Sequence, residues 1–415
     1  MMDSSTLAIL EQIRQTPSAT RRFLSERTGL SAARLYALVS WLIDHRLVYE
    51  EPLQDGTPGR PAAALHLNPD AGRVLGLDIG GNHLRGVLSD LTGGVLAALV
   101  LPVHVAPERD LILDAIVRLA ADLCAEGAVD LAQIAGIGVG VRGIVDTRTG
   151  VVLGWPNTPA WSAAWAGINV PDELGRRLDH DLIVVDDSVR AMGVTALRYG
   201  PAQGCRNFLY VFLGNGIGSG IFVDGRPYRG SNGIAGEIGH ITVDDDGPWC
   251  SCGSRGCLET LASAPGVLRR LRERLADARL TSVLREPYER GQLGLSDLVA
   301  AAQAGDKVAF QVLDEAGAQI GRVLAIALNL LSPELIVLGG PLTQDGGIIL
   351  QAVQRQVRLH ALQHLSSETR IVCDDQGELA GARGAALLAL DAVFSSPQHV
   401  ARLLAHSPEP IPSAL

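Results

Sequence analysis

Hydrophobic residues recur at helical spacing in the first 45 residues of the chain. The pattern predicts three helices, over about residues 5–15, 20–28 and 32–45. Gly29 makes the turn between the second and third helices, and Ser31 is a typical N-cap residue. The apolar positions that set this spacing are Leu7, Leu10, Ile13, Leu35, Leu38, Val39, Leu42 and Ile43.

Two short β-prone segments follow the third helix. These segments are residues 47–49 and 63–67. Between them lies a turn-rich stretch, residues 54–61, with the sequence Gln-Asp-Gly-Thr-Pro-Gly-Arg-Pro. Three helices followed by a hairpin predict a winged helix-turn-helix over residues 1–70, with the third helix in the DNA major groove. The candidate DNA-binding residues near the start of the third helix are Ser31, Arg34 and Tyr36, of which Arg34 is suited to reading a base edge. Arg21 and Arg22 are candidates for phosphate contacts, and Arg60 lies on the wing. The alternative is a small helical interaction domain whose arginines are solvated.

Beyond residue 70, apolar strands run repeatedly into glycines. Residues 74–79 end at Gly80 and Gly81, residues 208–213 enter a loop that contains Gly214 and Gly216, and residues 335–338 end at Gly339 and Gly340. Glycines at such junctions let backbone amides approach a phosphate, although a plain hairpin turn has the same pattern. Because the first two units are alike, the sequence predicts two duplicated α/β lobes that face each other across a cleft.

The most specific pattern in the chain combines one histidine with three cysteines. His240 precedes Cys250, Cys252 and Cys257, which are spaced as C-x-C-x4-C with glycines between them. One imidazole and three thiolates complete a tetrahedral Zn²⁺ shell and leave no open position, so the predicted zinc is structural. The alternative is a set of free thiols in a polar loop.

Three carboxylates are candidates for binding or catalysis. Glu237 and Glu259 flank the cysteine segment, and with His240 they are suited to accepting hydrogen bonds from sugar hydroxyls. Asp187 follows an apolar strand and precedes a helix. It is placed either as a general base for a hydroxyl or as a simple helix cap.

Composition limits the class of protein. The 415 residues are 47% hydrophobic and carry a net charge of −10, which is ordinary for a globular protein and unlike a chain that binds nucleic acid over its whole surface. The first 68 residues are neutral, with seven arginines against seven acids. No apolar run is long enough for a membrane span and no secretory signal is recognised, so we expect a cytoplasmic protein that does not contact membranes.

Together these motifs resemble the ROK family, which groups transcriptional repressors and sugar kinases. The resemblance is strongest at Glu237–His240 with the cysteine segment and Glu259, and the winged head is similar to that of the family's regulators. It implies an actin-like, ribonuclease-H-like fold with two lobes, and a homodimer or homotetramer. It also implies a sugar pocket lined by Asn157, Asp187, Glu237, His240 and Glu259.

The sequence departs from the family's kinases in its phosphate loops. Asn82 and Asn215 stand where those kinases have threonines, whose hydroxyls help to hold ATP phosphates, and Asp186 stands where they have asparagine. Asp186 adds a negative charge beside Asp187 that repels phosphate. Asp187 itself remains, which keeps an ATP- and Mg²⁺-dependent sugar kinase open as the alternative. That enzyme would use Asp187 as the base and Gly80, Gly81, Gly214, Gly216, Gly339 and Gly340 for the nucleotide.

The leading hypothesis is a DNA-binding repressor whose hold on its operator is controlled by a bound sugar. The kinase is the second, and an adaptor that binds only proteins is the third. The predicted domains are residues 1–70 for the head, 71–188 with 380–395 for the first lobe, 189–379 for the second lobe and 396–415 for a tail.

Overall fold

The computed structural model describes residues 3–16, 18–53, 63–103, 108–154 and 164–405. The chain forms two compact units. Unit 1 contains residues 1–141, 169–188 and 381–415, and unit 2 contains residues 142–168 and 189–380. The division differs from the predicted one because the head belongs to unit 1 and residues 142–168 belong to unit 2. Residues 142–168 contact the rest of unit 2, for example where Thr147 lies against Gly233.

The head has three helices and a small sheet, as the apolar spacing predicted. Its helices are α1 (Ser4–Gln15), α2 (Arg21–Thr28) and α3 (Ala32–Asp44), and its strands are β1 (Ala19–Thr20), β2 (Val48–Pro52) and β3 (Ala63–Leu67), ordered β1-β3-β2. Thr20 and Ser31 cap α2 and α3 by accepting the backbone N–H of Phe23 and Arg34. The order of helices and hairpin agrees with a winged helix-turn-helix. The predicted wing loop, with Arg60, lies outside the described residues.

The rest of unit 1 is built on a five-stranded sheet. Its strands are β4 (Arg73–Ile79), β5 (His83–Asp90), β6 (Val95–Pro102), β7 (Ile134–Val141) and β10 (Ile183–Asp187), in the order β10-β7-β4-β5-β6. The helices are α4 (Arg109–Glu126), α5 (Val170–Leu178), α14 (Ala380–Phe394, whose first residue belongs to unit 2) and α15 (Pro397–Ala405). β4 pairs in parallel with β7 and antiparallel with β5, so the sheet combines a hairpin meander with crossover strands.

Two glycines allow α14 to lie directly on the sheet of unit 1. A Cβ atom built on Gly76 of β4 would lie 2.0 Å from the carbonyl oxygen of Ala382, and one on Gly138 of β7 would lie 1.8 Å from that of Ala385. Because no Cβ atom fits at either distance, glycine is required here for close contact between backbones.

Unit 2 repeats the strand arrangement of unit 1. Its main sheet has β11 (Phe208–Leu213), β12 (Ile217–Val223), β13 (Arg226–Tyr228), β14 (Leu335–Gly339) and β15 (Arg370–Cys373), in the order β13-β12-β11-β14-β15. β8 (Ile144–Asp146) and β9 (Val151–Gly154) form a separate hairpin. In both main sheets a meander of three antiparallel strands is followed by two parallel strands, which agrees with the predicted duplication.

Helices cover the sheet of unit 2 and supply most of its core. They are α6 (Ser188–Tyr199, whose first residue belongs to unit 1), α7 (Leu258–Ala262), α8 (Ala264–Leu275), α9 (Arg285–Glu289), α10 (Leu295–Gln303), α11 (Lys307–Leu331), α12 (Ile348–His360) and α13 (Gln363–Glu368). Short 3₁₀ turns lie at Pro69–Ala71, Leu131–Gln133, Ile238–His240 and Pro341–Gln344. Among the described residues, none of the helices has both the length and the apolar character that crossing a bilayer requires.

Replacing Asp306 with alanine should lower the free energy of unfolding by about 1 kcal/mol, the usual cost of losing an N-cap. Asp306 caps the long helix α11 by accepting the N–H of Val308 at 3.0 Å and of Ala309 at 2.9 Å. Burial opposes its charge, but the backbone N–H groups of Ala309 and Val283 outweigh burial and hold the pKa of Asp306 below its ordinary value.

The Asp306 contribution is also expected to depend on pH. A carboxyl whose pKa is depressed in the folded state stabilises the fold above its unfolded pKa of about 3.9, and that stability is lost as the pH falls through the folded pKa. Urea unfolding at pH 7 and in the acid range measures both effects. Asparagine keeps one oxygen for the N–H groups of Val308 and Ala309 but does not titrate and cannot also accept the N–H of Val283, so D306N should lie between the wild type and D306A at pH 7. A D306N as unstable as D306A would contradict the capping role.

Candidate functional site

The structure brings His240 together with the three cysteines of the cysteine segment. The Sγ atoms of Cys252 and Cys257 are 3.7 Å apart, the Sγ atom of Cys250 is 3.5 Å from Nδ1 of His240, and all four ligand atoms lie within 4.8 Å of one another. Four ligands held tetrahedrally about 2.3 Å from a Zn²⁺ ion are separated by about 3.8 Å. The cluster therefore has the composition and the spacing of a closed metal site.

The backbone conformation of the loop brings these ligands close to one another. Gly253 and Gly256 have positive φ angles of 93° and 57°, and a Cβ atom on Gly256 would collide with the carbonyl oxygen of Asp244. The N–H of Cys250 donates to the carbonyl of Ser254 at 2.8 Å, which folds the loop back on itself. Glycine is needed at position 256 both for its φ angle and for the close approach.

Burial and the contacts among the three thiols shift their pKa values. Burial, helped by the neighbouring thiols, raises the pKa of Cys257 to about 12. Burial also raises the pKa of Cys250 above its ordinary value. For Cys252 burial acts in the same direction, but the N–H of Ser254 and the other thiols outweigh it, and its pKa lies below the ordinary value. A divalent cation binds thiolates, so its binding here must displace protons.

The two ring nitrogens of His240 face different groups. Nδ1 points to Cys250, whereas Nε2 lies 3.9 Å from a carboxylate oxygen of Glu237. The side chain of His240 is largely buried and that of Glu237 is half-exposed. If Nδ1 ligates a metal, Nε2 carries the proton and is a donor toward Glu237 or a bound molecule.

Glu259 lies at the second glycine loop, a position that the sequence pattern did not reveal. Its side chain is buried, and Oε2 accepts the backbone N–H of Ile217 at 2.7 Å. A Cβ atom on Gly216 would lie 2.5 Å from this carboxylate oxygen and 3.2 Å from a guanidinium nitrogen of Arg142. Arg142 therefore belongs to the same loop cluster, and nothing in its local sequence singled it out.

In unit 1, the first glycine loop is occupied by a cation from the chain itself. Asp78 is 3% exposed; its Oδ1 accepts from the hydroxyl of Ser188 at 2.6 Å, and its Oδ2 lies 3.8 Å from Arg85. The Arg85 guanidinium also lies 3.0 Å from where a Cβ atom of Gly80 would be. The guanidinium thus lies beside a buried carboxylate, and nothing in the local sequence singled out Arg85.

The remaining predicted site residues are placed as follows. Asp187 is the last residue of β10, and its N–H donates to the side chain of Asp186 at 2.8 Å. Gly214 and Gly216 form a tight turn, with the N–H of Gly214 donating to the carbonyl of Gly216 at 3.1 Å. Gly80 closes the β4–β5 turn, followed by Gly81, while Gly339 ends β14 and Gly340 has a φ of 99°. Asn157 lies outside the described residues.

The predicted DNA contacts of the head engage neighbouring acids. Arg34 on α3 pairs with Asp3 at 2.7 Å, and Arg22 pairs with Glu26 at 3.0 Å. Arg21 pairs with Glu50 and lies over the ring of Tyr36, whose side chain is 63% exposed. Ser31 caps α3. Arg34 was predicted to read a base edge, and to do so it must exchange Asp3 for the DNA.

Known proteins resemble this chain along nearly all of its length. The sequence profile of the ROK family matches residues 74–392. The xylose repressor of Bacillus subtilis is 25% identical over 386 residues, which cover 92% of this chain and 94% of the repressor.

Two solved structures differ in how much of the chain they match. A ROK family transcriptional regulator, described as a homolog of the E. coli MLC protein, is 26% identical and covers 96% of this chain and 98% of its own, with a TM-score of 0.82. A ROK family glucokinase from Streptomyces griseus, solved with glucose and AMPPNP, is 28% identical and covers 77% of this chain and 100% of its own, with a TM-score of 0.68.

Proposed function

Because this chain belongs to the ROK family, we propose that it is a transcriptional regulator, a repressor whose affinity for operator DNA is set by a sugar bound in its actin-like body. One observation carries this proposal: the similarity to the ROK transcriptional regulator extends over 96% of the chain, head included, whereas the glucokinase covers 77%. A head of three helices and a hairpin is the part that a DNA-binding regulator needs and a kinase does not.

The sugar is proposed to bind at Glu237, His240 and Glu259. These residues belong to unit 2 and border the cysteine cluster, which orients them through His240 and through α7, beginning one residue after Cys257. Carboxylates and an imidazole N–H are suitable partners for sugar hydroxyls. Asn157 and Asp187 join this set on the strength of the family resemblance.

Zn²⁺ is the metal that best suits the cluster of His240, Cys250, Cys252 and Cys257. One nitrogen and three sulfur ligands at tetrahedral spacing are typical of structural zinc, and a closed shell leaves no position for substrate. In this proposal the ion holds the loop and the orientation of His240. The sugar then contacts Nε2 of His240 and the carboxylates of Glu237 and Glu259, none of which ligates the ion.

The head is proposed to bind one half of a palindromic operator, with the second half bound by another copy in a homodimer or homotetramer. α3 would enter the major groove, with Ser31, Arg34 and Tyr36 near base edges. Arg21, Arg22 and Arg60 would contact phosphates. Phosphate contacts supply most of the affinity and make it dependent on salt.

Selection of DNA from a randomised duplex pool tests this function directly. The full chain is incubated with duplexes of roughly 30 base pairs, about three helical turns, and the enriched duplex is then titrated with D-glucose, D-xylose, N-acetyl-D-glucosamine and sucrose. We expect one sugar to change the duplex affinity by about 5- to 150-fold. Absence of any enriched sequence, at low salt as well, would exclude operator binding.

Replacing Arg22 with alanine should weaken binding of the selected duplex and reduce the slope of log affinity against log salt by about 1. Arg290 offers a matched control, because it pairs with Glu286 one helical turn away as Arg22 pairs with Glu26, and both arginines are exposed. R290A should leave affinity and salt slope unchanged. Equal effects of the two substitutions would contradict a phosphate contact at Arg22.

A sugar kinase is the second candidate, favoured by Asp187 at the end of β10. It would need ATP and Mg²⁺ near Asp78, where Arg85 now lies. A coupled phosphorylation assay with the same sugars separates the two functions. Turnover that is lost in D187N would establish the kinase, whereas no turnover with a retained sugar response supports the regulator.

A further inference from the structure

The head and the rest of unit 1 are joined by an ion pair whose arginine is largely buried. Nη1 of Arg14, near the end of α1, lies 2.5 Å from Asp391 on α14, and its guanidinium lies 5.9 Å from the ring centre of Phe394. The Arg14 side chain is only 13% exposed. Burial opposes its charge, but Asp391 and Glu11 outweigh burial and keep the pKa of Arg14 above its ordinary value.

The opposite end of α14 abuts the first glycine loop. A Cβ atom on Gly381, the second residue of α14, would lie 2.8 Å from the carboxyl carbon of Asp78. The same carboxylate accepts the hydroxyl of Ser188, which directly follows Asp187. Asp187 is one of the residues proposed to contact the sugar, so its neighbour Ser188 is linked to the start of α14 through the Asp78 carboxylate.

Between these ends, α14 has no room to adjust independently of the sheet. The backbone of the helix lies directly on Gly76 and Gly138, so a shift of β4 or β7 must move the helix with it. A helix of 15 residues is roughly 22 Å long. A displacement at Asp78 is therefore carried along a stiff element to Asp391.

The α1 helix connects Arg14 to α3, the helix proposed to enter the major groove. At its N-terminus, Asp3 caps α1 by accepting the N–H of Thr6 at 3.0 Å and also pairs with Arg34 of α3. Ile9, Leu10 and Ile13 bury one face of α1 in the head. Movement of Arg14 thus changes the position of the segment that holds Arg34.

We propose that Arg14 and Asp391 are positioning residues that couple the sugar site to the DNA-binding head. Their ion pair, with Phe394, fixes α1 on α14, so that an event at Asp187, Ser188 and Asp78 changes how α3 is presented to DNA. This inference rests on the proposed function, because it concerns the control of operator binding by the sugar. If the inference is correct, the ion pair is needed for the sugar to change the affinity for DNA, but it is not needed for binding DNA alone or sugar alone.

The experiment measures the ratio of duplex affinities with and without sugar, using the full chain, the enriched duplex and the most effective of the four sugars named above. In wild type the ratio should lie within about 5 to 150. In D391N and in R14M it should fall to within about twofold of 1, while the affinity for each ligand alone changes less than about threefold. D391E, which keeps the charge, should restore most of the response.

D181N is the matched control, because Asp181 forms an exposed ion pair with Arg402 of α15, also in unit 1, at 2.7 Å. It should respond like wild type. A wild-type ratio in both D391N and R14M would overturn the coupling. Should R14M fail to fold, D391N still decides the question, since Asp391 is half-exposed. A wild-type protein that binds its duplex but responds to none of the sugars would overturn the proposed function, and the coupling with it.

Discussion

Replacing Cys257 with serine, or removing the metal with a strong chelator, is expected to abolish sugar binding and to lower the melting temperature by about 10 °C or more. Cys257 is fully buried, and the Cys252 and Cys250 thiols lie beside it. Without the ion, an imidazole and three thiols, of which those of Cys250 and Cys257 are buried, lose the charge that holds them together, and His240 and Glu259 lose their common support.

The same ligands make metal affinity depend on pH. Since the pKa of Cys257 is raised to about 12, metal binding must displace its proton. Affinity should therefore rise with pH, as competition from protons weakens. Titration with Zn²⁺ at two pH values, followed by calorimetry with the sugar, measures both steps.

Cys373 provides the control for this prediction. It is a partly buried thiol of the same unit that lies outside the cluster. C373S should keep the metal content, the melting temperature and the sugar affinity of the wild type. A chelated protein that binds its sugar and melts as before would show that the cluster has no structural role.

The second large effect is expected at Gly138. Alanine there would place a methyl group 1.8 Å from the carbonyl oxygen of Ala385, and neither β7 nor α14 can yield without disturbing the sheet. Overpacking of a core usually costs about 1–3 kcal/mol, and a collision with the backbone of α14 should reach at least the upper end of that range. Urea unfolding, or recovery of folded protein, measures the loss.

Gly294 is the matched control for Gly138, because a Cβ atom there would meet its nearest neighbour at 3.4 Å, an ordinary contact. Gly294 is the N-cap of α10, so G294A should lower the free energy of unfolding by no more than about 1 kcal/mol, well below the loss expected for G138A. If G138A were as stable as G294A, α14 would not lie directly on the sheet, and the coupling proposed through Asp391 would lose its rigid element.

The contacts at Asp78 bear on the choice between regulator and kinase. Arg85 supplies a permanent positive charge at a buried carboxylate, and Asn82 and Asn215 replace the hydroxyl residues of the family's kinases. In the kinase alternative, each feature is expected to count against nucleotide binding for a separate physical reason: competition of Arg85 for the carboxylate in the first case, and replacement of short hydroxyl groups by longer amide groups in the second. A regulator needs neither group.

Local features of the chain were determined by the sequence itself. The helices of the head begin and end within one or two residues of the predicted limits, since spacing and caps act over a few residues. The cysteine segment was recognised because three of its four ligands lie within eight residues. The repeated strand–glycine units predicted two similar lobes. The two main sheets do have the same arrangement of strands, an antiparallel meander of three followed by two parallel strands.

The tertiary structure alone decided which distant groups meet. Ser188 and Asp78 are 110 residues apart in the chain, and Glu259 is 42 residues from Ile217, so no local pattern records either contact. The same holds for Arg14 and Asp391, which lie near opposite ends of the sequence but form an ion pair, and for the glycines on which α14 packs. Spacing along a sequence specifies elements and nearby ligands, whereas contacts between separate elements depend on how the whole chain packs.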